Sequence, residues 1–220
     1  MRLLAVRVRS PLASVDRVSD LSLVDWRARV ADLYAQVRAD DDPVRAHATW
    51  RTGRDRLFRE HPQSPLSAHD PLRETGLPVW DYDAAWRFEV RLDPPVAATD
   101  VDPGDRDVDT GDDGTLTMRR VARLELPTGG GLDVWSLRQY GGGLFVPVKD
   151  RTAGTSTYGA GRYLLDTAKG SWLGGTDETV VVDLNFAYHP SCRYDPRWRC
   201  PLAPPGNVLD VEVHAGERLP

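Results

Sequence analysis

A change of hydrophobic period near Leu77 constrains this chain more than any other feature. Before it, apolar residues recur every three or four positions, and after it they recur at every second position. Leu23, Trp26, Val30, Leu33, Tyr34 and Val37 share one face of a helix, because roughly 3.6 residues per turn bring such spacings together. Asp20 or Ser22 is available to cap its start, and its end is expected near Ala39. A second helix is predicted from Pro43, which fits a first turn because its missing N–H would be unpaired there anyway, with Asp42 as cap. It turns Val44, Trp50, Leu57 and Phe58 inward, and Pro62 and Pro65 stop it. Two helices joined so closely are expected to pack as a hairpin.

Beyond the change, Trp86, Phe88, Val90 and Leu92 alternate with Arg87, Glu89 and Arg91, the pattern of a strand with one dry and one wet face. Similar runs follow at residues 117–126, 133–140, 144–150, 158–164, 178–186 and 208–215, separated by turn signals such as Gly129-Gly130-Gly131 and Gly141-Gly142-Gly143. Short connections favour antiparallel neighbours. The expected fold is therefore α+β: an N-terminal helical hairpin packed on an antiparallel meander of about seven strands, curled into an open sheet, a barrel or a sandwich.

A chain of 220 residues with 40% hydrophobic content can bury one substantial core. Residues 20–220 are read as a single domain and residues 1–19, which show no sustained period, as a loosely held tail. Residues 93–113 carry eight aspartates with Arg106 as their one basic residue, and are expected to form a mobile acidic loop. They lack the glycine and glutamate that a calcium helix-loop-helix site requires at fixed positions, so no bound calcium is expected. The net charge of -5 argues against nucleic acid and anionic membrane as partners. No uninterrupted run approaches the roughly 18 apolar residues of a membrane span, and charge breaks the apolar start before a secretory segment is long enough. A cytoplasmic protein is expected, with Cys192 and Cys200 reduced. Oligomeric state is left open.

Chemistry is sought where polar residues interrupt the apolar pattern. Val180, Val182, Leu184 and Phe186 fall on one strand face and Asp183 and Asn185 on the other. In residues 158–164 the alternation places Tyr158 and Arg162 together, and a buried Arg162 needs Asp150 or Asp183 to offset its charge. The site expected from this pattern gathers Asp150, Tyr158, Arg162, Asp183 and Asn185 about a common interior that binds a small anionic or carbonyl-bearing molecule without a cofactor. Two other functions remain open: a hydrolase-like enzyme with Asp150 or Asp183 as base and Tyr158 as acid, or a partner-binding protein using Arg193, Tyr194, Arg197, Trp198 and Arg199. Arg162 is read either as part of a buried structural ion pair or as an anion-binding arginine. His189, Cys192 and Cys200 lack an evident fourth ligand for structural zinc, so no metal is expected and the cysteines are read as thiols or a disulfide.

Three segments carry a resemblance. Residues 58–66 (Phe58 to Leu66), residues 150–164 (Asp150 to Leu164) and the run from Asp183 through Tyr188 to Pro205 and Asn207 are similar to the signatures of a prokaryotic family, domain of unknown function 1684. The similarity extends from the first helix to Glu217. Where the family has aspartate-phenylalanine-asparagine this chain has Asp183-Leu184-Asn185, and His189 stands where an asparagine is usual. The acidic loop looks like an addition. The family has no established activity, so the resemblance implies that these segments belong together and leaves function open.

Overall fold

Two antiparallel helices open the fold, α1 (Val15–Ala39) and α2 (Pro43–Glu60). The computed structural model describes residues 15–97, 104–111 and 114–220, and side chains from residue 21 onward. Asp42 caps α2 by accepting from the backbone N–H groups of Val44 and Arg45, with Pro43 in the first turn. Leu33, Tyr34 and Val37 of α1 pack on Ala46, Trp50, Leu57 and Phe58 of α2. Gly53 lets the helices close together, because a Cβ there would meet Leu33 Cδ1 at 2.5 Å. The helix begins at Val15, inside the stretch read as a tail; residues 1–14 lie outside the described residues. No helix among the described residues is long and apolar enough to cross a membrane.

Seven strands follow: β1 (Arg87–Arg91), β2 (Asp105–Asp109), β3 (Thr115–Glu125), β4 (Gly131–Leu137), β5 (Gly143–Val148), β6 (Arg162–Asp166) and β7 (Thr179–Asp183). Strands β2-β3-β4-β5-β6 form an antiparallel meander in sequence order, and β1 pairs with β7 in a separate antiparallel ribbon. Val90, Val180 and Val182 of the ribbon pack on Leu124, Leu132, Val134, Val146 and Leu165 of the meander, giving two layers of a sandwich. No β2–β6 pairing occurs among the described residues, so of the expected open sheet, barrel or sandwich the closed barrel is the form not seen. The meander's other face buries Met118, Trp135, Phe145 and Tyr163, with Tyr188 and Cys200 packed against them. A bulge between Arg120 and Ala122 makes this possible. Arg120 pairs with Trp135, whereas Ala122 and Leu124 pair with Val134 and Leu132, so even-numbered side chains change face midway along β3.

Three expected segments fold otherwise. Asp105–Asp109, assigned to the mobile loop, is a strand: its aspartates line the wet face, where Asp105 meets Arg119 at 3.0 Å and Asp107 accepts from Thr117 at 2.6 Å. Residues 98–103 and 112–113 of that loop lie outside the described residues. Residues 208–215 form no strand; the parallel bridge of Lys149 to Val208 and the backbone bond from Arg151 N to Val211 O hold the first half, and the side chains of Asp150 and Arg162 hold Val213 and Ala215. Strand β6 starts at Arg162 rather than residue 158, because Gly161 N donates to Tyr158 O and closes residues 158–161 into a turn.

Asn207 shows how side chains replace a ladder. Fully buried, it accepts from Trp135 Nε1 at 2.8 Å and donates to Asp133 O at 2.8 Å and Pro147 O at 2.9 Å. Asn207→Ala leaves three buried groups unpaired, and is expected to lower the unfolding free energy by about 2–3 kcal/mol, read from the urea midpoint at constant m-value.

Candidate functional site

The chain beyond β7 breaks its alternation at once. Asp183 caps a 3-10 turn, Leu184–Phe186, by accepting from Asn185 N, so the expected two faces collapse and all four residues, 183 to 186, are buried. Asp183 Oδ1 also accepts from Asn185 Nδ2 at 2.8 Å, while Oδ2 accepts from Tyr82 Oη and Arg87, each at 3.2 Å. Asn185 exchanges two bonds with the backbone of Asp83, at 2.9 and 2.8 Å, and its carbonyl lies 3.0 Å from His47 Nε2. Burial raises the Asp183 carboxyl and, with help from that carboxylate, lifts the Tyr82 phenol to about 12. This station ties the segment before β1, and helix α2, to the end of β7.

A second station holds Asp150 and Arg162. Asp150 Oδ2 accepts from the Arg162 guanidinium at 2.8 Å, and its Oδ1 accepts from Thr152 N, Thr152 Oγ1 and Val213 N. The guanidinium also donates to the carbonyls of Val213, Ala215 and Glu217. Both side chains are at most 1% exposed, and Arg162 Nε has no partner among the described residues. Engaged by three carbonyls and a carboxylate, Arg162 clamps residues 213–217.

Between these stations runs a chain that sequence spacing did not reveal. Glu217, 1% exposed, accepts from Arg54 Nε on Oε1, and from His189 N at 2.6 Å and Tyr194 Oη at 3.0 Å on Oε2. The Arg54 guanidinium lies 4.4 Å from the Phe58 ring centroid and 4.6 Å from that of Tyr188. Burial opposes both charges; each partner outweighs it, holding Arg54 above and Glu217 below the usual range. Arg54 stands four residues after Trp50 and four before Phe58, so an arginine on the inner face of α2 was legible, but its acid lies 163 positions away. His189 Nε2 accepts from Tyr158 N at 3.2 Å, which assigns its proton to Nδ1, 3.7 Å from Glu217. That nitrogen is occupied and no base.

The five expected residues therefore do not share one interior. Asp150 joins Arg162, Asp183 joins Asn185, and no hydrogen bond among the described residues links the two pairs or takes Tyr158 to either carboxylate. Between the two sheets only about 10 Å³ remains, less than any metabolite needs. An open groove of about 810 Å³ lies elsewhere, along α1 and α2, lined by Arg29, Asp32, Gln36, Thr49, Arg56 and Glu60 among others.

Tyr158 stands apart. It is partly exposed, its ring centroid lies 6.3 Å from that of His189, and its hydroxyl neighbours the Cys192 thiol and the Arg193 cation. Burial, then Cys192, raises its phenol. No cluster of three or more metal-binding side chains occurs among the described residues.

Buried histidines make the fold acid-sensitive. Burial lowers His47 and His189 to about 4, whereas in the unfolded chain they take a proton near 6.5. As pH falls from about 6.5 to 4 the unfolded state binds protons that the folded state refuses, and stability drops by up to about 1.4 kcal/mol per unit for each histidine. Glu217 adds to the loss below its ordinary range, because its folded carboxyl is the stronger acid. Urea unfolding across this window checks it, and His47→Gln is expected to flatten the slope.

Comparison with known proteins agrees with the sequence resemblance. The family model described as Protein of unknown function (DUF1684) matches residues 74–218, more than half of the chain. No curated protein matches. Among solved structures, the solution NMR structure of an uncharacterized protein of Haloarcula marismortui is 33% identical, covering 77% of this chain and 90% of that one, with a TM-score of 0.52. The helical groove lies outside the segment that the family model matches, while Tyr158 and both polar stations from Tyr82 onward lie within it.

Proposed function

Because the chain belongs to the DUF1684 family of proteins of unknown function, membership supplies no activity, and we propose from its own geometry a small-molecule-binding domain. Its ligand is a small anionic or carbonyl-bearing compound that docks at Tyr158 beside Arg193. The observation that carries this reading is that Tyr158, alone of the five expected residues, keeps a partly exposed side chain, its hydroxyl bonded to the Cys192 thiol rather than to a backbone or carboxylate group among the described residues. A phenol and a guanidinium together favour carboxylate, phosphate or carbonyl oxygens.

The other four residues support the site from beneath. Asp150 and Arg162 hold the turn that presents Tyr158, and Asp183 and Asn185 anchor the segment leading to His189, on which Tyr158 N rests. The acid-base alternative loses its carrying groups, since both carboxylates are consumed by other bonds. The partner-binding alternative is weakened as well: Tyr194 turns inward against Phe58 and Glu217, and Trp198 is 36% exposed with Arg197 stacked 5.3 Å over it. The proposal keeps the cytoplasmic setting, in keeping with two free thiols, and no nucleic-acid partner, in keeping with the net charge.

Titrating the chain with small carboxylates, keto acids and phosphate monoesters, followed by two-dimensional NMR, tests this. Shifts centred on Tyr158 and Arg193 are expected, and Tyr158→Phe should weaken binding about tenfold, the loss of one hydrogen bond to a charged group. Shifts confined to the α1–α2 groove, or affinity untouched by Tyr158→Phe, would overturn it.

A further inference from the structure

The two cysteines, the chain's only ones, are brought together by one tyrosine. Tyr163 of β6 pairs its backbone with Tyr188, N to O at 2.7 Å and the reverse at 3.0 Å, four residues before Cys192. Its hydroxyl donates to Pro201 O at 2.7 Å, one residue after Cys200. Both ends of the loop carrying the cysteines thus dock within the length of a single side chain. Cys192 rides on the 3-10 turn Ser191–Arg193, while Cys200 packs against the cluster of Met118, Trp135, Phe145 and Tyr163. Both are free and half-buried, with Tyr158 beside Cys192 and, beside Cys200, Lys169, whose ammonium lies 5.8 Å from the Tyr163 ring and 3.3 Å from Asp166.

We propose that Cys192 and Cys200 form a peroxide-oxidisable dithiol in which Cys200 is the attacking sulfur and Cys192 the resolving one. The inference stands on the loop geometry and is independent of whether Tyr158 binds a ligand. The environment divides the roles. The hydrogen bond from Cys192 leads the shift that brings the Cys200 thiol down to about 6, aided by Lys169, and the same contact raises Cys192. The shared contact and the Lys169 ammonium thus favour thiolate character on Cys200 over Cys192.

In the first step the Cys200 thiolate attacks one oxygen of hydrogen peroxide. The O–O bond breaks, hydroxide departs and Cys200 becomes a sulfenic acid. Cys192 sulfur then attacks Cys200 Sγ, the S–O bond breaks, and the leaving hydroxide takes the Cys192 proton as water. Overall two thiols lose two electrons, one disulfide forms, and one peroxide becomes two waters. The bond closes the loop directly beside Tyr158.

The test uses the full chain, reduced, freed of reductant and exposed to equimolar hydrogen peroxide. Free thiols are expected to fall from two to none, with a Cys192–Cys200 cross-linked peptide in monomeric chain and full recovery on adding dithiothreitol. In Cys192→Ser, a 1,3-dione should trap sulfenic acid on Cys200. In the unmodified chain, iodoacetamide should label Cys200 at least about tenfold faster than Cys192, a readout that needs no variant. Two thiols surviving peroxide, cross-links between chains, or faster labelling of Cys192 would each overturn the assignment.

Discussion

Glu217→Ala is expected to lower the unfolding free energy by about 3–5 kcal/mol, because it strands the Arg54 guanidinium in an interior built to neutralise it. Arg54 is 13% exposed and Glu217 1%, and the arginine is walled by Phe58 and Tyr188. His189 N and Tyr194 Oη lose their acceptor in the same step. The destabilisation should be read from urea or thermal unfolding. Arg54→Met should be comparably costly, since it leaves a buried carboxylate unpaired. Combining Arg54→Met with Glu217→Gln removes both charges and keeps an oxygen for His189 N and Tyr194, so the pair should cost less than the sum of its parts by about 2 kcal/mol. A Glu217→Ala loss below about 1 kcal/mol would show that this pair is solvated.

Arg162→Met is expected to cost a similar 3–5 kcal/mol, with a different signature. Three carbonyls, of Val213, Ala215 and Glu217, lose their donor, and Asp150 keeps its charge with only Thr152 and Val213 to hold it. Apart from the isolated bridge of Glu217 to Val79 and the backbone bonds of Gly216 and Glu217, residues 213–217 rest on these side chains, so amide exchange there should accelerate well before global unfolding. Replacing Asp150 by Leu in the same chain should not rescue it, because Thr152 N, Thr152 Oγ1 and Val213 N would then be orphaned. Unchanged exchange in this segment would mean that the backbone holds itself.

These two pairs also mark how far residue spacing can be read. Both helices were legible because their period and their caps, Asp42 and Pro43, are local. Strands β1, β3, β4 and β5 were legible because alternation and glycine turns are local too. The strand at Asp105–Asp109 was not, since a run of aspartates reads as a solvated loop until Arg119 and Thr117 appear opposite it. Residues 208–215 look like a strand, yet Asp150, Arg162 and Asn207 hold the surrounding backbone by side chains that leave no trace in its alternation. At Asp183 the carboxylate caps a turn instead of continuing a face, and the parity argument that joined it to Arg162 fails there.

The chain's local patterning alone decided the α+β class, the helical hairpin, the antiparallel order and the identity of the polar residues worth following. Only the tertiary structure decided their partners: Asp150 with Arg162, Asp183 with Asn185, Glu217 with Arg54, and Tyr158 left at the surface. The reason is physical. Helix and strand periods come from backbone geometry repeated every few residues, whereas a buried charge is matched by whichever opposite charge the folded chain brings within about 3 Å, and that distance has no period in sequence.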